Sequence, residues 1–311
     1  MREGGSRREP GPIAHANLCG LLTVNLLGHP QTVSAASALF ATFAWGVSDF
    51  IGGYASRRTN AFLLTTITHL SGTLLMLLLA LRSNALFPST HAVTWAAIAG
   101  LFGGFALAIF YRALSQGSMG LTAPVAAVLG AAIPTIVSIA TEGMPGPIPL
   151  TGFLLAGIGI WLISRTEEGV EVKPAAIGVA VICGIGFAGY YLSIRQAGQG
   201  SIFWLAAISR CVSFIVTGGI VLAARQYRPI ERSGLAWGIA AGLLDISGSA
   251  MFIRATQMGR LDTSVVISSL YPAVTVLLAR VFLKEHFTPW RLAGMAAALA
   301  AVPMIAFVAA P

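Results

Sequence analysis

Charge is scarce in this chain. Asp, Glu, Lys and Arg make up 10% of its 311 residues, against about 25% in an average soluble domain. A soluble globule of this length needs far more surface charge to stay dispersed, so that class is excluded. Cysteine is scarce too: Cys19, Cys183 and Cys211 are scattered and odd in number, which argues against a disulfide framework and a zinc site. The formal charge of +8 comes from basic residues standing singly or in pairs between apolar runs. There is no basic stripe or aromatic platform for nucleic acid, and these residues read as headgroup-facing loop charges. HExxH, GxSxG and His/Cys clusters are missing, which argues against an enzyme. GxxxxGK[ST] is missing as well, which argues against direct ATP drive. No cofactor or metal is expected.

What fills the chain instead is apolar sequence, with 56% hydrophobic residues and 35 glycines. A bilayer core is crossed by about 20 apolar residues in a helix. On that basis ten helices are expected, over 34–54, 61–81, 92–114, 119–139, 148–164, 174–194, 201–224, 234–254, 263–283 and 289–309. The links are short, and the longest, "SRTEEGVEVKP", lies at the middle of the chain. Residues 1–33 form a polar, Gly/Pro-rich tail; a signal peptide and a simple upstream extension are both readings of it. The expected fold is all-α and integral to the membrane.

Two stretches, "FYRALSQGS" (Phe110–Ser118) and "FIRATQMGR" (Phe252–Arg260), match at an offset of 142 residues. At the same offset Trp95 meets Trp237, Gly100 meets Gly242, Arg112 meets Arg254, Pro147 meets Pro289 and Gly152 meets Gly294. Chance matches of Ala and Leu are easy in such a chain. Matched Trp, Arg and Pro in one ungapped register are not. The chain therefore reads as two five-helix units, 34–165 and 176–309. Because five is odd, the second unit must enter the membrane from the side opposite the first. Two inverted five-helix repeats are expected, an architecture that recurs in secondary transporters, with the solute site between the repeats near the bilayer midplane.

Ionisable groups at membrane depth face a cavity or a partner. Arg210 reads as a counter-charge for an anion, through the bidentate donors of a guanidinium, or as half of an ion pair with Asp245 or Asp49. Asp245 reads as a proton carrier, an amine ligand, or the other half of that pair. Asp49, closer to a helix end, reads as an ion-coupling candidate or a packing residue. His69 aligns with Cys211 at the 142 offset and is a third coupling candidate, or a hydrogen-bonded packing residue. Trp45, Tyr190 and Tyr191 read as cavity walls, with Trp204 and Tyr271 as further aromatics for a wall or an interface belt. Arg112, Arg254 and Arg280 read as headgroup anchors. Pro124, Pro134 and Pro272 read as hinges, kinks or tolerated bends.

"FAWGVSDF" in the first helix, the paired "YRAL" and "IRAT", and "SLYPAVTVLLARVFLKEHFTPWRLAG" (Ser269–Gly294) resemble the EamA group of the drug/metabolite transporter superfamily. The resemblance implies ten helices in two inverted bundles moving small polar metabolites, such as amino acids, by alternating access. Where that group often has a basic residue early in helix two, this chain has "TTITHLSG". The implied partners are a small-molecule substrate and membrane lipids, with a homo-oligomer allowed and no nucleic acid. The implied location is the cell (inner) membrane. The resemblance implies cytoplasmic termini, whereas the count of loop Lys and Arg leans the other way. A lipid or lipid-linked sugar flippase, or a non-transporting scaffold, is the alternative function for the same fold.

Overall fold

Long apolar runs separated by short links leave the backbone one way to satisfy its polar groups inside lipid, which is the helix. A computed structural model of the chain describes residues 30–115, 119–163, 174–226, 231–283 and 288–305. Most of the tail, 1–29, lies outside the described residues, as does the mid-chain link 164–173. Eleven helices are found among the described residues. The first half holds α1 (Pro30–Ser56), α2 (Ala61–Arg82), α3 (Thr90–Ser115), α4 (Met119–Glu142) and α5 (Pro147–Ile163). The second holds α6 (Pro174–Ala197), α7 (Ile202–Ala223), α8 (Arg232–Met258), α9 (Leu261–Ser268), α10 (Tyr271–Leu283) and α11 (Pro289–Ile305). Among the described residues eight spans are long and apolar enough to cross a membrane, and α5 and α11 are shorter apolar helices.

Two expectations shift. The first helix begins at Pro30, earlier than expected, because proline suits a first helical turn. The ninth helix is two helices, α9 and α10, broken at Ser269–Leu270. The cause is local. Pro272 lacks an N–H, and in a continuous helix its ring would clash with the Ser268 carbonyl four residues back. The chain turns through tight bonds from Leu270 N–H to the Ile267 carbonyl and from Ala273 N–H to the Leu270 carbonyl. By contrast α4 stays continuous through Pro124 and Pro134.

Large apolar side chains such as Phe43, Leu74, Leu154, Ile215 and Leu299 face outward and are more than half exposed. In water these would form an aggregation-prone surface; in lipid they are the solvated face. Small and hydroxylated residues face inward and let helices approach closely. Ser48 donates to the Ala241 carbonyl at 2.9 Å, Ser213 to Gly100 at 2.8 Å and Thr42 to Ile267 at 2.7 Å.

The packing is reciprocal between the halves. As α1 lies on α8, so α6 lies on α3; as α2 lies on α8, so α7 lies on α3; α2 pairs with α7 and α5 with α11. The same holds residue by residue. A Cβ at Gly152 would stand 2.8 Å from Ile305, and one at Gly294 would stand 2.9 Å from Ile163. A Cβ at Gly100 would strike the Ser209 carbonyl, as one at Gly242 would strike that of Thr68. A Cβ at Gly248 would stand 2.7 Å from Trp45, and one at Gly186 would stand 2.7 Å from Ala106.

These contacts adjust the register. Helix α2 is capped by Asn60 and followed by the left-handed Asn84, while α7 is capped by Ser201 and followed by the left-handed Arg225. Both correspondences place His69 opposite Arg210, 141 residues away, rather than opposite Cys211. The reason lies in the next link, which is one residue longer in the second half (224–231 against 83–89) and restores the 142 offset at α3 and α8.

Candidate functional site

Six helices from both halves converge on one cavity near the middle of the bundle. Helix α1 brings Trp45 and Asp49, and α3 brings Gly103 and Leu107; each pair is spaced by four, which puts both members on one helix face. Helix α6 supplies Phe187, Tyr190 and Tyr191 at the same kind of spacing. Arg210 comes from α7, Asp245 from α8, and Tyr271 from the first residue of α10, just past the break. About 50 Å³ is open to the centre of a water, inside an envelope of about 460 Å³ that includes the mouth. That core has room for a few waters. Every ionisable side chain in the lining is less than a tenth exposed.

The polar wall is a network around Arg210. Its Nη2 lies 2.7 Å from Asp245 Oδ2 and donates to Ser249 Oγ at 2.5 Å. Its Nη1 lies 3.2 Å from His69 Nδ1. A guanidinium cannot accept, so His69 Nδ1 is the acceptor and its proton sits on Nε2. That Nε2, like Arg210 Nε, has no hydrogen-bond partner among the described residues. Trp45 Nε1 donates to the Asp245 carbonyl at 3.1 Å and to Ser249 Oγ at 3.3 Å. This ties the α1 ring to the α8 backbone.

An aromatic cluster closes the cavity on one side. Phe252 lies 4.8 Å from Tyr191 and 5.5 Å from Trp45, centroid to centroid, and Tyr190 lies 5.7 Å from Tyr191. Toward the same end of the bundle, a polar clasp joins the ends of α4, α6 and α8 to the start of α9. Arg195 pairs with Glu142 at 2.9 Å and donates to the carbonyls of Thr256 and Gly259. Arg260 pairs with the fully buried Asp262 at 2.6 Å and donates to the carbonyls of Glu142 and Gly143. The hydrogen bonds that Arg260 donates to the Asp262 carboxylate hold its guanidinium above its ordinary pKa.

The structure thus brings Arg210, Asp245, Asp49, Trp45, Tyr190 and Tyr191 into one lining. His69 stands behind Arg210, fully buried and outside the lining. Asp49, although closer to a helix end, faces the cavity. Trp204 is elsewhere, with Nε1 bonded to the Ala85 carbonyl and its ring against Phe87. Arg195 and Arg260 do not act as free headgroup-facing charges, because carboxylates and carbonyls hold them. Sequence reasoning missed Ser249, Gly103, Leu107 and Phe187. The four-residue spacings to Asp245, Leu107 and Tyr191 were signals available in the sequence, but each is common in any helix.

With the site in view, the comparisons with known proteins bear on its class. The model of the EamA-like transporter family was found in the second half. Residues 174–307 match that family. The EamA-like match covers the helices that supply Phe187, Tyr190, Tyr191, Arg210, Asp245 and Tyr271, and it agrees with the resemblance read from the sequence. No curated protein matches the chain. One crystal structure of a protein superposes with a TM-score of 0.73 at 17% identity, over 87% of this chain and 97% of that one. At that identity the likeness shows the fold alone. The EamA-like match and the apolar spans together support a multi-pass membrane protein of the transporter class.

Proposed function

We propose that the chain is a secondary transporter that moves a small polar solute through the central cavity by alternating access between two inverted halves. The observation that carries this reading is the cavity itself, an aromatic pocket with a buried ion pair and a carboxylate, walled by helices of both halves. The reciprocal packing of α1 on α8 and α6 on α3 supports the inverted arrangement, because it is the pattern a twofold axis between the halves would generate. Alternating access needs two conformations of similar energy, and near-equivalent halves that exchange roles provide them. Trp45, Tyr190, Tyr191, Arg210 and Asp245 would form the solute site. Asp49 and Asp245 would carry a coupling ion, with His69 acting through Arg210.

At the clasp end Gln31 Nε2 reaches across the halves to Thr263 Oγ1 at 3.3 Å. The test needs no known solute. In a variant freed of its native cysteines, Phe187→Cys is exposed to a membrane-impermeant maleimide in vesicles of both orientations. Labelling from both sides is expected. A Gln31→Cys/Thr263→Cys disulfide should then confine labelling to one side until it is reduced. Labelling confined to one side without the disulfide would rule out alternating access through this cavity.

A further inference from the structure

The cavity holds two carboxylates and one guanidinium, and these are not equally available. Arg210 is engaged on both terminal nitrogens, by Asp245, Ser249 and His69. To capture a substrate carboxylate through its fork it would have to release Asp245 into an apolar site. Asp49 is different. It is 8% exposed and lines the cavity, and among the described residues no ion pair or hydrogen bond holds its carboxyl. Its electrostatic neighbours are Asp245, of the same sign, and the hydroxyls of Tyr111, Tyr191 and Tyr271. Its neighbour Ser48 spends its hydroxyl on the Ala241 carbonyl.

The rest of the lining is mostly aromatic, with Trp45, Phe187, Tyr190, Tyr191 and Tyr271 beside Gly103 and Leu107. The face of an aromatic ring is negative and attracts a cation placed over it. With Arg210 and Asp245 cancelling, the ionised cavity carries one net negative charge, at Asp49. A carboxylate at this depth is tolerated only with a counter-charge. An anionic solute would meet a like charge and the negative ring faces.

Resting on the transporter reading above, the geometry points to an organic ammonium ion as the solute, its charged nitrogen held by Asp49 and its apolar body by the aromatic walls. Arg210 and Asp245 then set the shape and neutrality of the opposite wall rather than gripping the solute.

The test uses four probes of one shape: phenethylammonium, benzyltrimethylammonium, 3-phenylpropionate and phenylalanine. Their effect on the thermal midpoint of the purified full chain is titrated, since a ligand of the folded state raises the midpoint by mass action. The two cations are expected to raise it and 3-phenylpropionate is not. Asp49→Glu should keep the response, and Asp49→Asn should weaken apparent affinity at least tenfold. If 3-phenylpropionate or phenylalanine binds more tightly than phenethylammonium, the cation assignment is wrong while the solute cavity stands. Cation binding unchanged in a folded Asp49→Asn variant would also overturn it. The ranking of probes on the unaltered protein decides the matter even if Asp49→Asn does not fold. If no probe binds, the inference fails, and two-sided labelling of Phe187→Cys decides separately whether the transporter reading survives.

Discussion

The two halves share a scaffold and differ in their chemistry. Helices α2 and α7 have the same length, a polar cap at the same place and a left-handed residue after the same number of turns. Gly100 and Gly242 meet the backbone of the opposite half in the same way. Yet at the cavity, Arg210 of the second half stands where the first has His69, and Asp245 stands where the first has Gly103. Asp49 of the first half stands where the second has Tyr190, by the register that matches Trp45 to Gly186. The difference separates two demands. On the proposed function, exchange of conformations would require the frames to be alike, whereas recognition of an asymmetric solute would require the linings to differ. The ion pair belongs to one half, and the unpaired carboxylate to the other.

Removing one partner of the ion pair should break this division most severely. Asp245→Ala leaves Arg210 buried without its counter-charge, and losing one partner of a buried pair costs about 3–5 kcal/mol. A large fall in the thermal midpoint of the detergent-solubilised protein is expected. The double variant Arg210→Met/Asp245→Leu should recover most of that loss, because an apolar pair needs no counter-charge. If Asp245→Ala melts like the parent, Arg210 has found another partner, and Asp49 is the only other carboxylate in the cavity lining.

The shared frame is tested next. Gly100→Ala and Gly242→Ala each drive a methyl group into backbone, and overpacking of this kind costs about 1–3 kcal/mol. Equivalent frames predict nearly equal falls in midpoint for the two variants. A fall in only one of them would mean that the matched contacts bear different loads, and the equivalence of the halves would fail at its closest crossing.

Much of this frame was legible in the sequence. Apolar runs revealed the helices, and rare matched residues, Trp95 with Trp237 and Pro147 with Pro289, pointed to the reciprocal packing of the halves, because those features answer to lipid and to backbone geometry. The register of α2 against α7 was not legible. One extra link residue moves it by one, and within an Ala/Leu-rich helix nothing local reports the shift; the caps and left-handed ends do. The break before α10 was half-legible, since Pro272 announced a disturbance but Pro134 in α4 looks the same and leaves its helix continuous. At the site, depth in the membrane marked Arg210, Asp245 and Asp49. It did not show that the first two are paired and the third is not, because pairing depends on how α1, α7 and α8 face one another. The clasp was hidden for the same reason: Glu142, Arg195 and Arg260 each sit at a helix end, where a lone charge is ordinarily solvated.

The smallest effect sharpens the comparison of α2 with α7. Asn60 accepts from the amides of both Phe62 and Leu63, at 3.0 and 3.1 Å, and Ser201 accepts from Trp204 alone at 3.4 Å. Asn60 also donates to Gln226 at 2.9 Å, which ties the start of α2 to the chain just beyond α7. A helix cap is worth about 0.5–2 kcal/mol against alanine. With two short bonds and a tether, Asn60→Ala should fall in the upper half of that range, and Ser201→Ala near its lower end. Equal falls in midpoint would mean that backbone and water satisfy the amides at both ends, and that the two caps mark a shared ancestry of sequence without a difference in strength.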